Sequence, residues 1–524
     1  MKKISRLFLV LGAVFAVLFS GLSLQPVNAG KSYSWSPDEK VPGYLDDTFT
    51  PFLLADRNRT VHAFASQWVD ADGRKLAIVY RQWTLKGGWT RPVDIILSPI
   101  GGSANFTGAF LDASDTMHVI FTATENLTRR TYVFYSRAPA ASADLASAWS
   151  APIIVGDGAL GLNSGAIIGD DQGNLVIIYS GNRDGTGVYY TYSRNSGLEW
   201  SIPSSAFLTY NEDLSTFSLR LAIGPDQKIR AAWNVVTNLG VDEALYFANF
   251  DTASSKWDPA VELDERIDLP EYFGPSYPVI ADNGREVIVF YNGGNPVLGR
   301  PVGGGRPIQR ARISLDGGAT WSEPLDPFPF HVGRSGEHTM VLDGNGTPHV
   351  LFIQRIESLD EQGRYTIIGG VWHSRFENGA WTNPDRFVTL LAPHDVRAVI
   401  VQGNVLLAVW REDPGLGADG IWYSYSILDA PELPVTPLAA APADVPGLAT
   451  TPGAVSEPGT PEPTLAPEQL SNPEQIPNPA LLDEAPPSDL GRNPALPIII
   501  GTLPVILILI GVVVGYRFLA SRRE

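Results

Sequence analysis

The stretch Ser314-Leu315-Asp316-Gly317-Gly318-Ala319-Thr320-Trp321, continued by Ser322-Glu323-Pro324, decides the fold. Gly317 and Gly318 supply positive φ at little steric cost, and a carboxylate at Asp316 accepts hydrogen bonds from turn amides. The stretch therefore predicts a hairpin turn between the two outer strands of a sheet. Trp321 opens the following strand with a large apolar ring, expected to hold the turn against its own sheet.

The end of this stretch recurs along the chain. Trp35-Ser36-Pro37, Trp89-Thr90-Arg91-Pro92, Trp149-Ser150-Ala151-Pro152, Trp200-Ser201-Ile202-Pro203, Trp257-Asp258-Pro259 and Trp381-Thr382-Asn383-Pro384 accompany Trp321-Ser322-Glu323-Pro324, at intervals of 51 to 64 residues. One other turn keeps most of the pattern, Ser193-Arg194-Asn195-Ser196-Gly197-Leu198-Glu199-Trp200, with Asn in the Asp position. A second landmark runs out of phase with the first: an Asp, then six residues on a His, as in Asp56/His62, Asp112/His118 and Asp343/His349. Weaker copies lie at Asp170, Gly224 and Asp282 and around Val399–Trp410. Short β-branched runs around Asp, Asn and Gly turns at this period mean four-stranded units, and no long 3.6-residue apolar period interrupts them. Seven inner hairpins match seven Trp strands only if Tyr33–Pro37 supplies the outer strand of the last unit. The expectation is an all-β, seven-bladed propeller closed by its N-terminal strand, which also covers free strand edges. Six blades with an N-terminal extension is the alternative.

The S/T-x-D-x-G-x-T-W form of 314–321 is that of the Asp-box in bacterial neuraminidase repeats, so the chain resembles the sialidase-like β-propeller superfamily. Ser314, Asp316, Gly318, Thr320 and Trp321 carry that likeness. It implies fold more than chemistry, because the same turns occur in lectins, receptors and scaffolds. Sialidase catalytic domains have six blades and an early Phe/Tyr-Arg-Ile-Pro segment; seven blades and the lack of that segment depart from the subgroup.

Composition sets the surroundings. Met1–Ala29, with Lys2, Lys3, Arg6 and an apolar run to Leu24, reads as a secretory signal, or less readily as an N-terminal anchor. Residues 495–516, charge-free from Leu496 to Tyr516, match a bilayer core of about 30 Å, and Arg517, Arg522 and Arg523 put the following tail in the cytoplasm. A single-pass cell-membrane protein is expected, with its C-terminal transmembrane helix as anchor. Residues 430–494 hold 16 prolines and no aromatic residue, which predicts a disordered extracellular stalk reaching up to about 200 Å. Residues 30–429 carry a formal charge of −15, which argues against nucleic acid as a partner. The chain has no cysteine, so disulfides and thiolate metal sites are excluded. Four N-glycosylation sequons lie at Asn58, Asn105, Asn126 and Asn345.

In a four-stranded meander the Trp turn lies on one face. The approach to the innermost strand and the connection of the second to the third lie on the other, around the channel mouth. Residues four or five before each Asp landmark are expected to ring that mouth: Pro51/Phe52, Thr107/Gly108, Gly165/Ala166, Leu219/Arg220, Tyr277/Pro278, His338/Thr339 and Arg397/Ala398. Neighbouring loops add Arg334, Glu337, Glu271, Tyr272, Arg411 and Glu412. Arg220, Arg334 and Arg397, with His338 and Arg411, form a candidate ligand-binding set, since guanidinium forks suit carboxylates. By the sialidase likeness, Tyr277 or Tyr272 beside Glu271 or Glu337 would be the catalytic pair. Solvated loop charges or interblade ion pairs are the plainer reading of each charge. His62, His118 and His349 repeat at one position in separate blades, which reads as a strand residue with a polar handle rather than a metal site. No cofactor is expected; a calcium ion in the channel stays open. The readings are a monomeric surface propeller binding a glycan or other envelope ligand, an exo-acting sialidase-type hydrolase, and a protein-interaction scaffold.

Overall fold

The computed structural model describes residues 33–69, 75–160, 164–267, 273–294, 308–328, 331, 336–359, 365–390, 393–412 and 419–439. The signal, the stalk beyond Ala439, the span at 495–516, and Glu271, Tyr272 and Arg334 lie outside the described residues. Among the described residues no helix is long and apolar enough to cross a membrane.

Seven antiparallel sheets follow one another along the chain. Their innermost strands are Phe52–Ala55, Asn105–Leu111, Gly165–Gly169, Leu214–Ile223, Phe273–Asp282, Thr339–Leu342 and Pro393–Val401. We number the blades 1 to 7 in that order. Each blade then runs outward as a meander, and in blade 5 an isolated bridge, Ala311 to Leu325, stands in for the fourth strand. Blade 7 has three strands of its own and takes its fourth from the N-terminus: Glu39 pairs with Tyr423, Lys40 with Trp422, and Trp35 bridges Ser426. The ring is thus seven-bladed and closed as expected, which excludes the six-bladed alternative.

The second strands are buried on both faces; all seven residues of Leu175–Gly181 are buried. Adjacent blades sandwich them, so polar/apolar alternation is lost there. The Trp series packs across the blade boundaries. Trp149 meets Phe64, Trp200 meets Tyr135, Trp321 meets Phe247, Trp381 meets Phe290, Trp89 meets Tyr423, Trp257 meets Tyr190 and Trp35 stacks on Phe387. In every case the partner belongs to the preceding blade. Trp321 therefore anchors its turn to blade 4, not to its own sheet, and only its indole N–H stays local, donating to the Gly318 carbonyl at 3.1 Å.

The turn at 314–318 is held by its side chains. Ser314 Oγ donates to Asp316 Oδ1 at 2.8 Å and accepts from the Gly318 amide at 2.8 Å, while Asp316 accepts from the Thr320 amide and hydroxyl. These bonds pull the Asp316 carboxyl down to about 2. The turn at 193–199 repeats the arrangement with Asn195 in place of Asp. Gly318 has φ +97°, and a Cβ there would lie 2.4 Å from the Phe247 ring. Gly318→Ala is accordingly expected to lower unfolding free energy by about 2–4 kcal/mol in denaturant titration, from strain at positive φ plus overpacking.

The Asp/His landmark closes the inner hairpin. Asp56 accepts the amides of Asn58 and Thr60 through Oδ1, and its Oδ2 lies 3.1 Å from His62 Nε2; the His62 Nδ1 side meets the Tyr80 hydroxyl at 2.6 Å. Asp112, His118 and Tyr135 repeat this set, and Asp343, His349 and His373 form a third. Each of the three landmark imidazoles is fully buried and engaged on both nitrogens. In blade 5 the sixth residue after Asp282 is Ile288, and Arg230 of blade 4 reaches across at 2.5 Å instead. Among the described residues no group of three His, Asp or Glu side chains is placed to hold a metal ion.

Residues 430–439, read from composition as the start of the stalk, are strapped to the turn face. The Leu433 amide donates to Gln402 O at 2.7 Å, Thr436 to Arg57 O at 2.9 Å, and Ala439 to Asp115 Oδ2 at 2.7 Å. Glu432 pairs with Arg59. A Cβ on Gly403 would strike Leu433 Cγ at 2.7 Å, so glycine is what lets the strap lie flat. The chain leaves blade 7, crosses blade 1 and reaches blade 2 on the face opposite the channel mouth.

Candidate functional site

The innermost strands are irregular at their mouth end. Register shifts occur between Phe106 and Gly108, Phe217 and Arg220, Ser276 and Val279, and Pro393 and Asp395. A bulge inserts one residue and re-aims its neighbours. Two bulged residues carry positive φ despite a side chain, Ser218 at 48° and Tyr277 at 50°. Such strain costs of order 1–3 kcal/mol each and clusters where the backbone is held for function.

A cavity of about 510 Å³ opens at this end of the channel. Its polar lining includes Thr50, Ser66, Thr107, Ser164, Ser218, Arg220, Glu337, His338, Asp395, Arg397 and Arg411, and Phe49, Phe52, Phe106 and Phe217 add apolar faces. Of the sequence-predicted mouth residues, Phe52, Thr107, Gly108, Gly165, Ala166, Leu219, Arg220, His338, Thr339 and Arg397 line it. From the loops Glu337 and Arg411 join them, while Pro51, Tyr277, Pro278, Ala398 and Glu412 are not in the lining. Phe49, Thr50, Ser218, His394 and Asp395 were not anticipated. The bulges explain the difference, since an extra residue shifts which side chains face inward. A Pro-x-Asp at the start of the last inner strand was the available signal for Asp395.

Arg220 of blade 4 and Arg397 of blade 7 converge on one atom. Arg220 donates to Glu337 Oε2 at 2.8 Å, and Arg397 donates to the same oxygen. Both guanidiniums also reach backbone carbonyls, Arg220 at Leu219 O (3.1 Å) and Arg397 at His338 O (3.5 Å). Each of the three side chains is about a quarter exposed, 27% for Arg220, 28% for Glu337 and 23% for Arg397. Burial disfavours ionisation of Glu337, but Arg397 and Arg220 outweigh it and hold its carboxyl below the usual range. The arginine clamp expected to hold a ligand carboxylate thus already grips one belonging to the protein. Gly336 makes room for this: a Cβ there would meet His394 O at 1.4 Å.

A second ion group sits beside it. Asp395 receives the Thr50 hydroxyl, lies 3.3 Å from Arg411 Nε and 3.2 Å from His394 Nδ1. Burial opposes its charge, yet His394 and Arg411 hold it down to about 2. Arg411 also stands 5.3 Å over the Phe49 ring. His338 is fully buried with neither ring nitrogen hydrogen-bonded, and burial with the nearby arginines pushes it down to about 3, so it is neutral. The Ser218 hydroxyl is likewise buried without a bonded partner.

Tyr277 stands behind this lining, its ring 6.5 Å from Phe217. Burial, then the charges of Glu337, Asp242 and Asp395, push its phenol up to about 12. The carboxylates nearby therefore keep Tyr277 protonated. One carboxyl differs from the rest: burial raises Asp242 to about 7, although Asn234 donates to it at 2.6 Å and Ser276 also bonds it. A carboxyl that holds its proton more tightly when folded makes the native state bind more protons than the unfolded chain. Stability from Asp242 is full below about pH 4 and is lost as pH rises towards 7. Asp242→Asn is expected to remove that decline from a melting-temperature profile between pH 4 and 8.

No protein-family model matches the chain, and no curated protein sequence does. Similar solved structures include an ulvan lyase of polysaccharide lyase family PL25, 12% identical over 77% of this chain and 97% of that one, with a TM-score of 0.47. A protein of unknown function from Dyadobacter fermentans is 12% identical over 75% and 99% of the two chains, TM-score 0.43. The intramolecular trans-sialidase of Ruminococcus gnavus is 13% identical over 79% and 100%, TM-score 0.38. Likeness at this level assigns neither residues nor activity to this chain.

Proposed function

We propose that the chain is a cell-surface propeller that binds a carboxylate-bearing saccharide at the channel mouth. The observation that carries this reading is the convergence of Arg220 and Arg397 on a single carboxylate oxygen in an open cavity. Two guanidiniums and one glutamate leave one positive charge uncompensated, so a further anion is favoured where a cation is not. A volume near 510 Å³ suits a small ligand, with phenylalanine rings for the apolar face of a sugar ring. Ser218 and His338 add neutral hydrogen-bonding groups beside the charge.

Binding is favoured over turnover by the protonation states. Glu337 and Asp395 are both held ionised by partners and Tyr277 is held neutral, so neither of these two lining carboxylates is a proton donor and Tyr277 is not an activated phenolate. The one observation on the side of the hydrolase reading is Asp242, a carboxyl raised to about 7 by burial, whose charge acts on Tyr277.

In this reading the signal at 1–29 exports the chain, the span at 495–516 anchors it, and the proline-rich stalk lifts the domain from the membrane. The strap at 430–439 supports an outward-facing mouth, because the stalk then begins on the opposite face. Titration of the purified domain with sialic acid, glucuronate, galacturonate and their uncharged counterparts tests the proposal. The acidic sugars should bind and the neutral ones not, with binding lost in Arg397→Met. Equal binding of both classes, or of neither, overturns it.

A further inference from the structure

A second cleft lies on the mouth face, between the loops that join second to third strands in blades 2 and 3. It has a volume of about 460 Å³ and is lined by Thr128, Arg129, Arg130, Asp157, Asn182 and Arg183, among others. Three arginines and one carboxylate line it, with Glu125 and Asp184 in the same two loops outside the lining, in a domain whose formal charge is −15. Arg130 pairs with Asp157 at 3.0 Å, while Arg129 and Arg183 make no ion pair among the described residues. Within the lining the arginines outnumber the acids, which favours anions over cations at that spot on an otherwise acidic surface.

Both loops are set before any ligand arrives. In blade 2 the Glu125 amide donates to Arg130 O at 2.8 Å and the Arg129 amide to Glu125 O at 2.9 Å. Thr128 Oγ1 donates to Glu125 Oε2 at 2.6 Å, which engages the one other acid in that turn. In blade 3 the Tyr189 hydroxyl accepts the Asp184 amide at 2.7 Å and donates to Gly185 O at 2.8 Å, fixing the backbone beside Arg183. Fixed loops reduce the ordering cost of binding.

The cleft is close to the channel cavity. Leu160 lines the cleft and Ser164 lines the cavity, and four residues span at most about 14 Å. Across blade 2, cavity-lining Asn105 pairs with Thr122, which pairs with Val133, two residues along the strand from cleft-lining Thr131. Two strand spacings amount to about 10 Å. We propose that this cleft is a second anion subsite and that the ligand is an extended polyanionic saccharide, one acidic unit seated in the channel cavity and another, a few units along, at Arg129 and Arg183. This rests on the channel reading for its first subsite and adds chain length and charge repetition to it.

Linear galacturonate oligomers of one, three and six units, titrated calorimetrically against the whole propeller domain, test the idea. The hexamer should bind more than tenfold tighter than the monomer, beyond what repeated units alone supply. Arg129→Ala/Arg183→Ala should reduce the hexamer to nearly monomer affinity and leave the monomer unchanged, with an unaltered circular dichroism spectrum. A hexamer advantage that survives in that variant, or is absent in the parent, overturns the second subsite. Failure of the monomer alone, with a hexamer response still dependent on Arg129 and Arg183, would remove the channel reading and keep the cleft.

Discussion

Glu337→Ala is expected to destabilise the propeller by about 2 kcal/mol and at the same time to tighten its grip on small anions. Removing one member of a buried ion group typically costs 3–5 kcal/mol, because the partners are left uncompensated. These side chains are about a quarter exposed, so solvent screening lowers the figure. Without Glu337, Arg220 and Arg397 face each other at short range with no counter-charge. Acetate or formate should then settle between them and raise the melting temperature of the variant as concentration rises. The parent, whose clamp is filled, should respond weakly. Glu337→Gln retains shape and a carbonyl acceptor and should show a smaller loss. A variant that melts like the parent and ignores carboxylates would mean that the two arginines do not form an anion site.

The second large effect concerns closure. Deleting residues 33–44 removes the outer strand of blade 7, the Trp35–Phe387 stack at 3.8 Å, and the buried side chains of Val41 and Tyr44. It also removes the hydrogen bonds that the Ser36 amide donates to Tyr425 O and the Val41 amide to Ile421 O. Loss of that apolar burial and those hydrogen bonds amounts to something on the order of 5 kcal/mol. It further exposes the edge of Trp422–Ile427 to pairing with another chain, so aggregation should accompany the lower stability. A synthetic 33–44 peptide added in trans should recover part of the melting temperature. For a point variant that still folds, Trp35→Ala should cost about 2–3 kcal/mol. Truncated protein as stable and soluble as the parent would contradict the closure.

The ring was legible in the sequence because its signals are periodic. Seven Trp strands against seven inner hairpins left Trp35 without a sheet of its own, and the pairing of Glu39 and Lys40 with Tyr423 and Trp422 resolves that imbalance. What the Trp rings touch was not legible. Spacing gives the position of Trp321 but not that it leans across to Phe247 of the preceding blade. The Asp/His landmark likewise gave a polar handle, and only the fold showed a Tyr or second His completing each set.

The site was legible to about one residue in register. Arg220, Arg397 and His338 were found because the landmark counts back to the channel mouth, and Glu337 and Arg411 as charges in the neighbouring loops. Ser218 and Asp395 were missed because bulges, which have no dependable sequence signature, slip the inward-facing positions. That Glu337 would occupy the clamp could not be read either, since it and the arginines are separated by 117 and 60 residues. The strap was hidden by composition: Pro431, Pro434 and Pro437 resemble the stalk they lead into, while Leu433 docks against Gly403.

The channel claim is tested most directly by competition between a ligand carboxylate and the protein's own. Galacturonate affinity measured calorimetrically in the parent, Glu337→Ala and Arg397→Met should rise about tenfold when the internal carboxylate is removed, a gain of about 1.4 kcal/mol. It should disappear when the arginine is lost. Unchanged affinity across all three proteins would place any binding elsewhere and contradict the account.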